Sequence, residues 1–253
     1  MDLSHLSARD LILLRLLLAA SAAALGAAIA VSFKRIHHLG LCVLISFAAG
    51  ALLAVALFDI LPESMELIGL TRAVVSFASG YLLFFIISRY VFHICPACSA
   101  THTELDFKAV TLAMIAALSV HSFMDGLAIY SGAVSQARTG FLILLAVVYH
   151  KVPEGMALSL IALGSKISRR RAFFLSVSVE SVTTLAGGLV GVWLITPASS
   201  GLQGYVLGHV AGAFVFLVIH ALLSEVFKHH PWYTLSAALG GALSIVLVSG
   251  LVH

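Results

Sequence analysis

Residues 121–129 read HSFMDGLAI and residues 150–158 read HKVPEGMAL. Each stretch opens on a histidine, places an acid four residues on, and follows it with Gly and then Ala. Four residues is just over one helical turn, so His121 and Asp125 share one helix face and His150 and Glu154 share another. Imidazole and carboxylate together suit a borderline divalent ion such as Zn²⁺, and also Fe²⁺ or Mn²⁺. In an apolar setting such an ion needs its hydration replaced, and two carboxylates cancel its charge. A proton relay or plain interhelical hydrogen bonding is the other use of such groups. Two matched His-x3-acid turns fit it less well than one.

The elements that must position these turns are membrane helices. Of 253 residues, 61% are hydrophobic and 10% charged, against roughly 25% charged in soluble domains. The mean hydropathy is +1.10. That balance excludes a soluble enzyme, a nucleic-acid binder and a disordered chain. The sequence pI of about 8.9 implies no nucleic-acid partner, because the Lys and Arg sit in short loops beside apolar runs. The runs are about 20 residues long and do not alternate with period 2, so they read as helices rather than barrel strands.

Eight spans are expected, at 11–33, 39–62, 71–92, 107–131, 140–164, 171–196, 203–227 and 233–252. Short connections make them one bundle, a single polytopic transmembrane domain over 1–253 with the lipid bilayer as its solvent. Lys34, Arg35, Arg89, Lys108, Lys166, Arg169, Arg170, Arg171 and Lys228 fall on one side; Arg9, Arg15, Arg72 and Arg138 fall on the other. The richer side is cytoplasmic, which puts both termini outside. The first span reads as a retained helix, since its apolar run exceeds the roughly 7–15 residues of a signal core.

Ionisable groups inside a span are costly and so are functional candidates. His121 lies about 21 Å along its span and His150 about 15 Å along its own. The two spans run oppositely, so the four groups can converge near mid-membrane. Lys151, Glu180, His209 and His220 are also within spans, and Glu225 is near a span end. Pro153 frees the carbonyl of Tyr149 from its helical partner. Gly126 and Gly155 permit close helix approach.

HSFMDG resembles the fourth-helix motif of the ZIP (Zrt-, Irt-like) divalent metal transporters, His-Asn/Ser-x-x-Glu/Asp-Gly. HKVPEG resembles that family's fifth-helix motif, His/Gln-Asp/Glu/Lys-x-Pro-Glu-Gly. The eight expected spans and outward termini match the family too. The resemblance implies a metal site between the fourth and fifth spans with His121, Asp125, His150 and Glu154 as ligands. It also implies an adjoining position near Ser122 and Glu180. There the two-metal form of the family has an acid where this chain has Lys151, so one transport metal is expected, with the ammonium replacing a second. Asp59 and Glu63 in FDILPES resemble a segment near the metal entrance, where an acidic mouth would concentrate cations. His220 and Glu225 in HALLSEV resemble the inner exit. The family implies a homodimer. The stripe Gly204, Gly208, Gly212 favours close packing within or between protomers.

The segment 93–102 reads HICPACSATH, and His93, Cys95, Cys98 and His102 are candidate ligands of a cytoplasmic loop site with CxxC spacing. An ordinary loop with a reduced thiol pair is the alternative. There is no phosphate-binding G-x4-GK[ST] loop, so ATP hydrolysis is not expected to drive transport. An inside-negative potential favours entry by about 2.3 kcal/mol per charge per 100 mV. The expected function is therefore uptake of Zn²⁺, with Fe²⁺, Mn²⁺ and Cd²⁺ open, across the cell membrane. The rivals are an intramembrane zinc hydrolase and a membrane metal sensor. HExxH is absent, and no nucleophile sits with a base and orienter, so an enzyme is not expected.

Overall fold

In the computed structural model, residues 8–32, 38–91, 107–195, 200–223 and 231–251 are described. Among them the chain is helical, with no strand. In chain order the helices are α1 (Ala8–Ser32), α2 (His38–Val55), α3 (Leu61–Ile68), α4 (Leu70–Val91), α5 (Phe107–Ser135), α6 (Ala137–Gly164), α7 (Arg169–Val177), α8 (Thr183–Leu194), α9 (Ser200–Phe216) and α10 (Pro231–Leu251). Wider π turns at Ala56–Ile60 and Ser178–Val182 join α2 to α3 and α7 to α8, and a third, Leu217–Leu223, extends α9.

Among the described residues, seven stretches are long and apolar enough to cross a bilayer: Asp10–Ser32, Leu39–Ile68, Leu70–Ile87, Ala137–Gly164, Arg169–Leu194, Ser200–His220 and Pro231–Leu251. The 29-residue α5 lies between the third and fourth of these and is about 43 Å long at 1.5 Å per residue.

The second span runs six residues past its expected end at residue 62. Leu61 donates its N–H to the carbonyl of Ala56, five residues back, and Pro62 falls in the first turn of α3. Proline is tolerated there, where its missing N–H costs no helical bond. The helix then stops at Gly69, whose φ of +80° suits glycine. The connection expected between the fourth and fifth spans shrinks to one extended residue, Gln136.

Lipid tails are as apolar as the side chains, so helices associate here by close packing more than by burial of apolar area. Glycines provide it in reciprocal pairs. A Cβ on Gly26 or Gly155 would collide with the backbone across α1 and α6, and one on Gly126 or Gly187 with the backbone across α5 and α8. Gly50 and Gly241 fasten α2 to α10 in the same way, and Gly80 and Gly212 fasten α4 to α9. Gly204 and Gly208 pack on α3 and α4 side chains, so the small-residue stripe is used within the chain. With Gly188 against Leu16 and Gly140 against Ala133, and with α2 continuing into α3 through its π turn, these contacts tie α1, α5, α6 and α8 into one helix group and α2, α3, α4, α9 and α10 into another.

Gly126→Val is expected to force α5 from α8 and to lower stability by about 1–3 kcal/mol. Gly240, whose added Cβ would meet Phe47 only at ordinary contact distance, is the control. Thermal unfolding in detergent should fall for Gly126→Val and hold for Gly240→Ala.

Candidate metal centre

α5 and α6 form an antiparallel hairpin around Gln136, and this brings the two His-x3-acid turns level. One ligand atom from each of His121, Asp125, His150 and Glu154 lies within 4.8 Å of the other three. His121 Nε2 is 3.3 Å from His150 Nε2, 3.6 Å from Asp125 Oδ2 and 3.2 Å from Glu154 Oε1. His150 Nε2 is 3.3 Å from Asp125 Oδ2. A tetrahedron with bonds of about 2.0–2.1 Å, the usual zinc distances to nitrogen and oxygen, has edges of roughly 3.3–3.4 Å. These four separations bracket that edge, while His150 Nε2 and Glu154 Oε2 stand wider, at 4.0 Å.

The His150 ring is oriented by its own helix. Its Nδ1 donates to the carbonyl of Ala146 at 2.9 Å, which assigns the proton to Nδ1 and leaves the Nε2 lone pair facing the cluster. Phe214 packs edge-on against His121 and His150, at centroid distances of 5.9 and 6.2 Å. Phe84 packs against His121 at 6.4 Å. Glu154 is the least buried of the four, its side chain 11% exposed. Asp125 Oδ1 and Glu154 Oε2 have no hydrogen-bond partner. Buried polar atoms are ordinarily satisfied, so these carboxylates fit a site shaped for a ligand. His121 Nδ1, on the side of the ring away from Nε2, also has none.

Lys151 sits behind the cluster, fully buried. Its Nζ is 2.8 Å from both Asp125 Oδ2 and Glu180 Oε2, and 3.7 Å from Glu154 Oε2. It also donates to Ser122 Oγ at 2.6 Å, and Ser122 donates on to Glu180 at 2.8 Å. The adjoining position expected near Ser122 and Glu180 is thus filled by an ammonium. When ionised, three carboxylates against one ammonium leave a formal charge of −2, which one divalent ion neutralises.

Other candidates lie elsewhere. Asp59 and Glu63 do not form an open acidic mouth: they are 7% and 6% exposed. Asp59 pairs with Arg138 at 3.7 Å, and Glu63 accepts from Ser135 and Thr139. The sequence reading missed these partners because Arg138 looked like an interfacial topology charge. His220 Nδ1 donates to the Phe216 carbonyl at 3.3 Å, its ring stacks on Phe216, and Nε2 is 3.4 Å from the Tyr81 hydroxyl. His209 bonds Ser79 at 2.9 Å. Glu225, His93, Cys95, Cys98 and His102 lie outside the described residues. The π turns were missed as well. They carry Asp59, Glu180 and His220, and π bulges recur at functional sites. The one available signal was an ionisable residue inside an apolar span.

The ZIP zinc transporter family model matches residues 98–249, more than half of the chain and both motif turns. The chain belongs to the ZIP zinc transporter family. Among curated proteins it is 28% identical to the zinc transporter ZupT of Chlorobium luteolum, over 94% of this chain and 97% of that one. It is 27% identical to the ZupT of Stenotrophomonas maltophilia, over 91% and 93% of the two chains. For the ZupT of Nitratidesulfovibrio vulgaris the figures are 29%, over 85% and 87%. The ZIP family and these relatives bear the names of transporters, not of enzymes. With its apolar helices, this ZIP protein is a multi-pass integral protein of the cell membrane.

Proposed function

We propose that the chain carries divalent transition-metal ions, zinc foremost, into the cytoplasm through a site between α5 and α6. His121, Asp125, His150 and Glu154 are its ligands. The observation that carries this reading is the convergence of two imidazoles and two carboxylates within 4.8 Å, in surroundings whose formal charge one dication cancels. Zinc transporters among the relatives support the choice of ion. Iron, manganese and cadmium compete for the same donors, because affinity alone does not set selectivity. Lys151 occupies the second cation position, so one metal is carried at a time.

The chain acts as a single transporter domain over 1–253. Its eight spans are the seven apolar stretches and α5, with both termini outside the cell, and it assembles as a homodimer. His220 and Glu225 line the inner exit, and the 93–102 loop receives metal on the cytoplasmic side. Transport is secondary, driven by ion gradients without ATP hydrolysis, and an inside-negative potential adds about 2.3 kcal/mol per charge per 100 mV. Access alternates as the group of α1, α5, α6 and α8 slides against the other. The glycine-fastened backbones within each group favour motion between groups over motion within them.

Radioactive zinc uptake into proteoliposomes tests the function. Saturable uptake that grows with an imposed inside-negative potential is expected. Zinc binding in detergent without any uptake would overturn transport and favour a sensor.

A further inference from the structure

The surface between the two helix groups changes character along the membrane normal. At the level of the metal centre it is aromatic, with Phe84 and Phe214 on the imidazoles and Phe47 on Tyr149 at 5.2 Å. Toward the end that holds Ile68, Ser135, Ala137, Ser200 and Leu251 it becomes polar. There Gln203 Nε2 on α9 donates to the Ser131 carbonyl on α5 at 3.1 Å. Glu63 on α3 accepts from Ser135 and Thr139. Arg138 on α6 pairs with Asp59 in the first π turn and donates to Ser249 near the end of α10.

We infer that Arg138 is the outer gate residue. Its guanidinium fastens the α5–α6 hairpin to the second helix group and closes the outer approach to the metal centre. The inference rests on the transport reading and on its assignment of this end to the outside. One residue, Gln136, joins α5 to α6, so a hold on Arg138 is also a hold on the end of α5. Asp59 is the first acid of FDILPES, and Arg138 is a tethered cation already placed on it. An arriving dication must displace the guanidinium to reach Asp59, so filling the entrance and releasing the hairpin become one event.

The exposure of the pair suits reversible use. The Arg138 side chain is 32% exposed and that of Asp59 5%, so the pair is partly screened by water and shifts an equilibrium only a few-fold. The Lys151 contacts, with no exposure on either side, would resist such cycling.

The test uses a thiol reporter in the full chain with Cys42, Cys95 and Cys98 replaced. Ala128→Cys lies three residues from Asp125 and three from Ser131, and Ala128 has no exposure. A membrane-impermeant methanethiosulfonate is added from outside to oriented proteoliposomes. Arg138→Gln and Asp59→Asn should each raise the labelling rate about two- to fivefold. The exchange of Asp59→Arg with Arg138→Asp should restore slow labelling, which a packing defect would not. Unchanged labelling in both single variants, an absence of labelling included, overturns the gate. So does a swap that labels as fast as the single variants. Zinc uptake is read on the same vesicles. Uptake without a labelling shift retires the gate alone. A labelling shift in vesicles that take up no zinc supports the fastening and retires the transport reading.

Discussion

Glu154→Ala and His150→Ala are each expected to reduce zinc uptake to that of protein-free vesicles, with folded protein still in the membrane. The electrostatics set the size of the effect. With Glu154 ionised, the cluster, Glu180 and Lys151 together offer a formal −2 to the ion. Without it the occupied site keeps one uncompensated positive charge in a dry bundle. A single charge at the centre of a bilayer costs about 2.5–3.5 kcal/mol on insertion scales, roughly a hundredfold in occupancy. His150→Ala removes a donor whose lone pair the Ala146 carbonyl orients, and it costs a comparable factor. Folding should survive because α6 is held to α1 through Gly26 and Gly155, away from both side chains. Glu154→Gln, which keeps the volume and loses the charge, should fail like Glu154→Ala. Uptake retained in Glu154→Ala and His150→Ala together would remove the site assignment.

Lys151→Asp is expected to change the number of metals bound. Asp125, Glu154 and Glu180 all lie within 4 Å of the Lys151 ammonium. An acid at 151 would bring four carboxylates together, a formal −4 that two dications neutralise. Equilibrium binding should then give two zinc ions per chain, against one for the parent. Without metal the variant should be less stable by about 3–5 kcal/mol, the usual cost of stripping the partner from buried charges. Excess zinc should restore its melting temperature, while chelator should leave the parent much less affected. One zinc per chain in the variant would count against the ammonium as a stand-in for a second cation.

Much of the site was legible because its decisive spacing is local. A residue and its fourth neighbour share a helix face in any helix, so the pairing of His121 with Asp125 and His150 with Glu154 needed no tertiary information. The class was legible from composition, since apolar runs of this length have few stable homes outside a bilayer. The span ends were less so. The second helix runs on to Ile68 because a π turn resets the hydrogen bonding ahead of Pro62, and no spacing rule announces such a turn. Asp59 and Glu63 read as a solvent-facing acidic pair, yet they are buried under residues about 70–80 positions away in sequence.

The sequence by itself determined that this is a helical membrane protein, which two turns carry metal-binding donor types, and which ionisable groups lie within its spans. Only the tertiary structure decided what those groups meet. Lys151 and Glu180 come together because glycine contacts set how α5 turns against α8 and how deep α6 lies against α1. Helix rotation and depth are settled where backbones touch. That information belongs to pairs of distant segments, not to the period of any one of them.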